Sequence, residues 1–234
     1  MALGTTLSSA LDVSTTVVAQ SLTFTAGGFA VVDSLIGSGS LTVCVMTYHH
    51  DYLNNAPTQD GDHTHILTYF GEAAGAQRPA LVIVESGGPV NTVYAENSGD
   101  DDDAVLMNVT FDGSVSWDTI RGDADTTGSN RRDSDVYYSY AIFNTKFSAR
   151  GSDVITDNRR CYFVFDLSSM PGATADDVKL NLRCDNLGHT NDDFGKIIAV
   201  QATALAGSTA DFGNCFVADA VTVTDNATFF GTNF

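Results

Sequence analysis

This chain has little of the charge that exposed helices are built from. Among its 234 residues there are only three Glu (Glu72, Glu85, Glu96) and three Lys (Lys146, Lys179, Lys196). Helical surfaces draw heavily on both residue types, so an α-helical protein is not expected. Positive charge is scarce as well. The 11 Lys+Arg stand against 29 Asp+Glu, a net charge of −18. A surface of that sign does not neutralise phosphates, which argues against a nucleic-acid partner. Long hydrophobic runs are missing too. The longest, such as Ala80–Val84, fall well below the roughly 18–20 residues that span a bilayer, so no membrane span is expected. The opening Met-Ala-Leu-Gly-Thr-Thr has neither a basic stretch nor an apolar run ending in a cleavage site, so no secretion signal is expected. The four cysteines (Cys44, Cys161, Cys184, Cys215) fall in no zinc-binding spacing and read as small hydrophobes in thiol form.

What is present points to β structure. Hydrophobic residues make up 43% and aromatics 10%, which excludes a solvated disordered chain. Segments rich in Val, Thr, Phe and Tyr alternate with clusters of Gly, Asp, Asn and Ser. Strands are expected near Thr16–Thr25, Ser40–Tyr48, His63–Phe70, Ala80–Glu85, Val105–Asp112, Tyr137–Ser148, Cys161–Leu167, Val178–Cys184, Gly195–Leu205 and Ala220–Thr224. Period-two alternation is clearest in Val178–Cys184. There Leu180, Leu182 and Cys184 share one face, and Lys179, Asn181 and Arg183 the other. One short helix fits Ala30–Ile36. Short strands separated by turn signals predict an all-β chain folded as an antiparallel β-sandwich or jelly roll over residues 1–234. Two small β domains joined near Gly87–Asn91 are the rival arrangement.

Asp supplies 26 of the 29 acids, and much of it lies in turn-like loops, where its side chain hydrogen-bonds nearby backbone. The densest loop is Asp100-Asp101-Asp102-Asp103. Oxygen ligands on a flexible loop suit Ca²⁺, so these four are the candidate metal ligands, against a solvated acidic loop as the plainer reading. His63-Thr64-His65 puts two imidazoles on one strand face, a spacing metals use and polar strand faces also show. His49-His50-Asp51 reads as a loop at a strand end. No nucleophile elbow is present: Gly37-Ser38-Gly39-Ser40 lacks its strand–turn–helix setting. Trp117, Tyr138 and Tyr140 are the candidate ligand-binding aromatics, with core packing the competing role for Trp117.

Two stretches carry a family resemblance. Asp157-Asn158-Arg159-Arg160-Cys161-Tyr162-Phe163-Val164-Phe165-Asp166-Leu167-Ser168-Ser169-Met170-Pro171-Gly172-Ala173-Thr174, followed by Val178–Leu182, resembles the signature of DNRLRE domains, which are similar to carbohydrate-binding modules. In that pattern Phe165 points inward, Asp166 bonds the turn backbone, and Leu180 and Leu182 return on the inner face. Tyr52-x-x-Asn55-Ala56-Pro57, Ile66–Phe70 and Arg78–Val84 resemble the way such domains end. The ending precedes the beginning. Residues 1–86 therefore resemble a C-terminal half and 92–234 an N-terminal half. The resemblance implies either a circular permutant or halves completed by neighbouring copies. It also implies that Cys161 and Cys184 sit together at the open end of a hairpin, where a disulfide competes with reduced thiols. Such jelly-roll modules often hold structural calcium.

Function is expected to be non-enzymatic. The leading reading is a structural or interaction protein on a virion surface (a capsid decoration or fibre subunit) or a self-assembling extracellular filament subunit. Its partners would be further copies or other structural proteins. A carbohydrate-binding module with a glycan ligand is the alternative, and a hydrolase is the least supported.

Overall fold

The computed structural model describes residues 7–8, 11–12, 18–58, 63–69, 77–96, 103–110, 115–122, 129–133, 140–150, 153–170, 174–189 and 196–202. In chain order the elements are β1 (Leu11–Asp12), β2 (Val18–Thr23), α1 (Ala26–Leu35), β3 (Ser40–Thr47), a π-helical turn (Tyr48–Tyr52), β4 (His63–Tyr69), β5 (Ala80–Glu85), β6 (Val90–Tyr94), β7 (Asp103–Thr110), α2 (Trp117–Gly122), β8 (Ser129–Asp133), β9 (Tyr140–Arg150), β10 (Asp153–Asp166), β11 (Ala175–His189) and β12 (Lys196–Gln201). Every strand pairing among them is antiparallel.

The fold is an antiparallel β-sandwich organised by two long strands, β10 and β11. The C-terminal half of β10 pairs with β3, which pairs with β12, while β7 and then β8 extend from the opposite edge of β10. In the second layer β11 lies between β2 on one side and β5 on the other, and β6 completes the layer. The remaining ends of the long strands are joined by β9 and β4, which carry hydrogen bonding from one layer to the other. Strands from residues 1–86 pair with strands from 92–234 within one chain: β3 with β10 and β12, β5 with β11.

The core lies between the layers. Val43, Val45, Phe163 and Phe165 from one face meet Leu81, Ile83, Val178, Leu180 and Leu182 from the other, all buried. Each such side chain contributes about 1.5–3 kcal/mol relative to exposure. The outer face of the first layer is also covered. Cys44, Met46, Tyr162, Ile198 and Val200 pack beneath Tyr48 and Tyr52. This explains why Val43–Met46 is apolar on both sides instead of alternating.

Helix α1 caps one end of the sandwich. Thr25 Oγ1 accepts the Gly28 N–H at 3.0 Å, an N-cap bond. Leu7 then ties the layers together: its N–H donates to Ala199 O at 3.0 Å and its carbonyl accepts from Thr25 N at 2.8 Å. Gly28 is required here, because a Cβ would sit 2.5 Å from Leu7 O.

Ala80–Glu85 is found as expected, and β2, β3, β4, β7, β9 and β12 overlap their expected ranges. The expected strand Ala220–Thr224 lies outside the described residues. Phe165 is buried, and Asp166 accepts the Ser168 N–H at 2.8 Å. Bonds from the Ser168 side chain, then its backbone, hold the Asp166 carboxyl below the usual aspartate range. The expected hairpin of Cys161–Leu167 with Val178–Cys184 is corrected. β10 and β11 belong to opposite layers, so Cys161 stands opposite Val45 and Val105, and Cys184 opposite Val18 and Thr68. Leu167 bonds back to the α1–β3 connection (Leu167 N–H to Gly39 O, Gly37 N–H to Leu167 O, both 2.9 Å), so the chain arches between layers after β10 instead of folding back beside it. Cys44 and Cys161 are buried thiols. The Gly-Gly-Pro break near Gly87–Asn91 is the turn of the β5–β6 hairpin, with Gly87 at φ +66°.

Candidate functional site

The structure separates the residues singled out from sequence. Asp100, Asp101, Asp102 and Tyr138 lie outside the described residues. Asp103 opens β7 opposite Phe163, and Tyr140 opens β9 opposite Tyr69. Trp117 begins α2, half-buried, and its enclosed Nε1 has no hydrogen-bond partner. Among the described residues no group of three His, Cys, Asp or Glu side chains is placed to hold a metal ion.

The charged constellation that the structure does assemble is a different one. It is built where the π-helical turn and α2 cover the outer face of β10. Along that face Thr156, Asn158 and Arg160 continue the row of Tyr162 and Val164, and all but Val164 are buried. Arg160 grips the Asp51 carboxylate with two bonds, Nε to Oδ2 and Nη2 to Oδ1, each 2.6 Å. Both side chains have 0% exposure. Arg160 Nη2 also donates to Arg121 O at 2.7 Å. Arg121, in turn, donates from Nε to Asp51 O and from Nη2 to Tyr52 O (3.3 Å), with its Nε 3.8 Å from Asp51 Oδ1. One carboxylate and two guanidinium groups thus join the turn, α2 and β10. The planar forks of arginine suit this, since each bridges a carboxylate or carbonyl with fixed geometry.

The turn itself is shaped for the task. Tyr48 and Tyr52 stack with ring centroids 5.5 Å apart. Leu53 N–H donates to Tyr48 O at 3.0 Å, and Asn54 takes φ +58°, a conformation asparagine tolerates. Asn54 Nδ2 then donates to Asp118 Oδ1 of α2 at 2.9 Å. His50 Nδ1 lies 2.8 Å from Asn55 O, and because a carbonyl only accepts, Nδ1 carries the proton. Burial, and secondarily the charge of Tyr52, pushes the Tyr48 phenol up to about 12. The inner face of β10 ends in its own pair: Arg159 Nη2 donates to Asp157 Oδ2 at 2.6 Å.

Chemically the Asp51–Arg121–Arg160 cluster is a brace, with its charges facing one another inside the protein. In the sequence His49-His50-Asp51 reads as a loop, which hides the cluster. The usable signal was the Tyr48-x-x-x-Tyr52 spacing, which stacks rings across one helical turn, and an arginine in mid-strand next to Cys161 and Tyr162.

The surface offers one further feature. Val90 and Tyr94, both on β6, are the exposed large hydrophobics among the described residues, at 62% and 45% exposure. The Arg78 guanidinium lies 5.2 Å from the Tyr94 ring centroid and donates to Ala95 O at 2.6 Å. No family model, curated protein or solved structure matches the chain.

Proposed function

We propose that this chain is a non-enzymatic structural or interaction protein, a virion surface component such as a capsid decoration or fibre subunit, or a self-assembling extracellular filament subunit. The observation that carries this reading is the sealed brace. Three charged side chains on different elements, Asp51, Arg121 and Arg160, are turned inward, where they bond one another and backbone. Charges spent in this way fix the packing of a turn and a short helix on a sheet. That use suits a stiff building block. The sandwich architecture and the resemblance to DNRLRE domains are compatible with it, and the −18 charge serves solubility in a saline exterior.

Negative-stain electron microscopy and sedimentation of the full chain at native concentration, with and without calcium, test the reading. Rings, filaments or particle-bound material are expected. A strict monomer that binds a glycan array, with binding lost on Trp117→Ala or Tyr138→Ala, would replace it with the carbohydrate-binding reading. Calcium at Asp100–Asp103 belongs to the proposal as a structural ion. A rise in melting temperature at millimolar calcium, reversed by EGTA, is expected, and no shift removes the ion from it.

A further inference from the structure

We infer that the outer edge of β6 is a docking edge for a second copy of the chain, joined antiparallel across a two-fold axis at Thr92. This rests on the structural reading above and names its partner.

Backbone direction is settled by the hairpin. Ala95 N–H donates to Pro79 O at 2.9 Å, and Pro89 O accepts from Glu85 N at 3.1 Å. The odd-numbered residues of β6 therefore turn their backbone groups toward β5, and Val90, Thr92 and Tyr94 turn theirs away. Glu96, next in that outward series, donates its N–H to Val164 O at 2.8 Å. No strand among the described residues takes up the groups of Val90, Thr92 and Tyr94. An unpaired edge of this kind templates another strand.

Three other edges among the described residues are short, charged or partly taken up. β1 is two residues long, and β8 carries Arg131, Arg132 and Asp133. The C-terminal end of β2 is taken up by the Ser8–Phe24 bridge and the Thr25–Leu7 bond. β6, Val-Asn-Thr-Val-Tyr, has no charge at all.

Self-complementarity selects the occupant. With Thr92 opposite its own copy, Val90 faces Tyr94 twice, so the exposed hydrophobics cover one another across the axis. The same register sets Glu96 against Gly88, so no like charges meet along it. Elsewhere each copy carries −18, which opposes association until salt screens it.

Sedimentation velocity of the full chain across ionic strength is the test. Wild type is expected to dimerise more strongly as salt rises. Thr92→Pro removes an outward N–H without touching the β5 ladder, and Thr92→Lys sets like charges against each other on the axis. Each is expected to lose the dimer while keeping its melting temperature. Mixing Thr92→Lys with Thr92→Asp chains should restore a heterodimer, an outcome that a foreign strand or another face does not produce. Wild-type association that survives both Thr92→Pro and Thr92→Lys overturns the edge pairing and leaves the structural reading standing. A wild type that stays monomeric at every salt concentration overturns the edge pairing, and the structural reading falls with it only if that monomer binds glycan.

Discussion

Asp51→Asn is the sharpest perturbation of the brace. The asparagine keeps the size of Asp51 but presents an NH₂ donor where Arg160 or Arg121 needs an acceptor. Two charge-assisted bonds of 2.6 Å to Arg160 are at stake, between side chains with 0% exposure. Removing one partner of a buried pair leaves the other charge uncompensated, a loss of about 3–5 kcal/mol. For a chain of 234 residues each kcal/mol moves the melting temperature by roughly 2–4 °C, so a fall of roughly 6–20 °C is expected. Urea unfolding followed by far-UV circular dichroism gives the free energy. The double variant Asp51→Leu with Arg160→Met removes both charges and should be less destabilised than the sum of its singles, with a coupling of at least about 2 kcal/mol. A loss below about 1 kcal/mol for Asp51→Asn, or additive singles, would refute the brace.

Three further outcomes follow from the same structure. Gly28→Ala drives a methyl group into Leu7 O and should cost about 1–3 kcal/mol in urea unfolding, because the buried Leu7 segment must shift; a neutral substitution contradicts that packing. The Tyr48 phenol, raised from 10.0 to about 12, contributes stability that is complete below pH 10 and is lost as pH climbs toward 12. Tyr48→Phe should remove a component that titrates near pH 12 from the absorbance at 295 nm. Cys44 and Cys161 are fully buried thiols and should resist a thiol reagent in the folded protein, then react after denaturation; prompt labelling of either in the native state would contradict their placement.

Much of the architecture was legible because local pattern and tertiary role agree. Ala80–Glu85 is β-branched and apolar and forms β5 at those bounds. Phe165, Leu180 and Leu182 point into the core as alternation requires. Other parts depend on distant partners. Ser-Asn-Arg-Arg-Asp has no strand character, and β8 exists through its ladder with β7. β6 follows Gly-Gly-Pro closely and reads as part of a break, whereas pairing with β5 makes it a strand. The two halves of the family-like motif read as neighbours because they lie close in sequence, yet β10 and β11 belong to opposite layers. Asp51 was hidden for the plainest reason: its partner Arg160 is 109 residues away, and no local pattern reports such a contact.

Assembly of the chain with copies of itself is the central expectation. Light scattering coupled to size exclusion, run from dilute to native concentration and from low to high salt, measures that directly. A mass that rises above 24.7 kDa with concentration and salt is the predicted result. A mass fixed at one chain under every condition, in a protein that binds glycan, would contradict it.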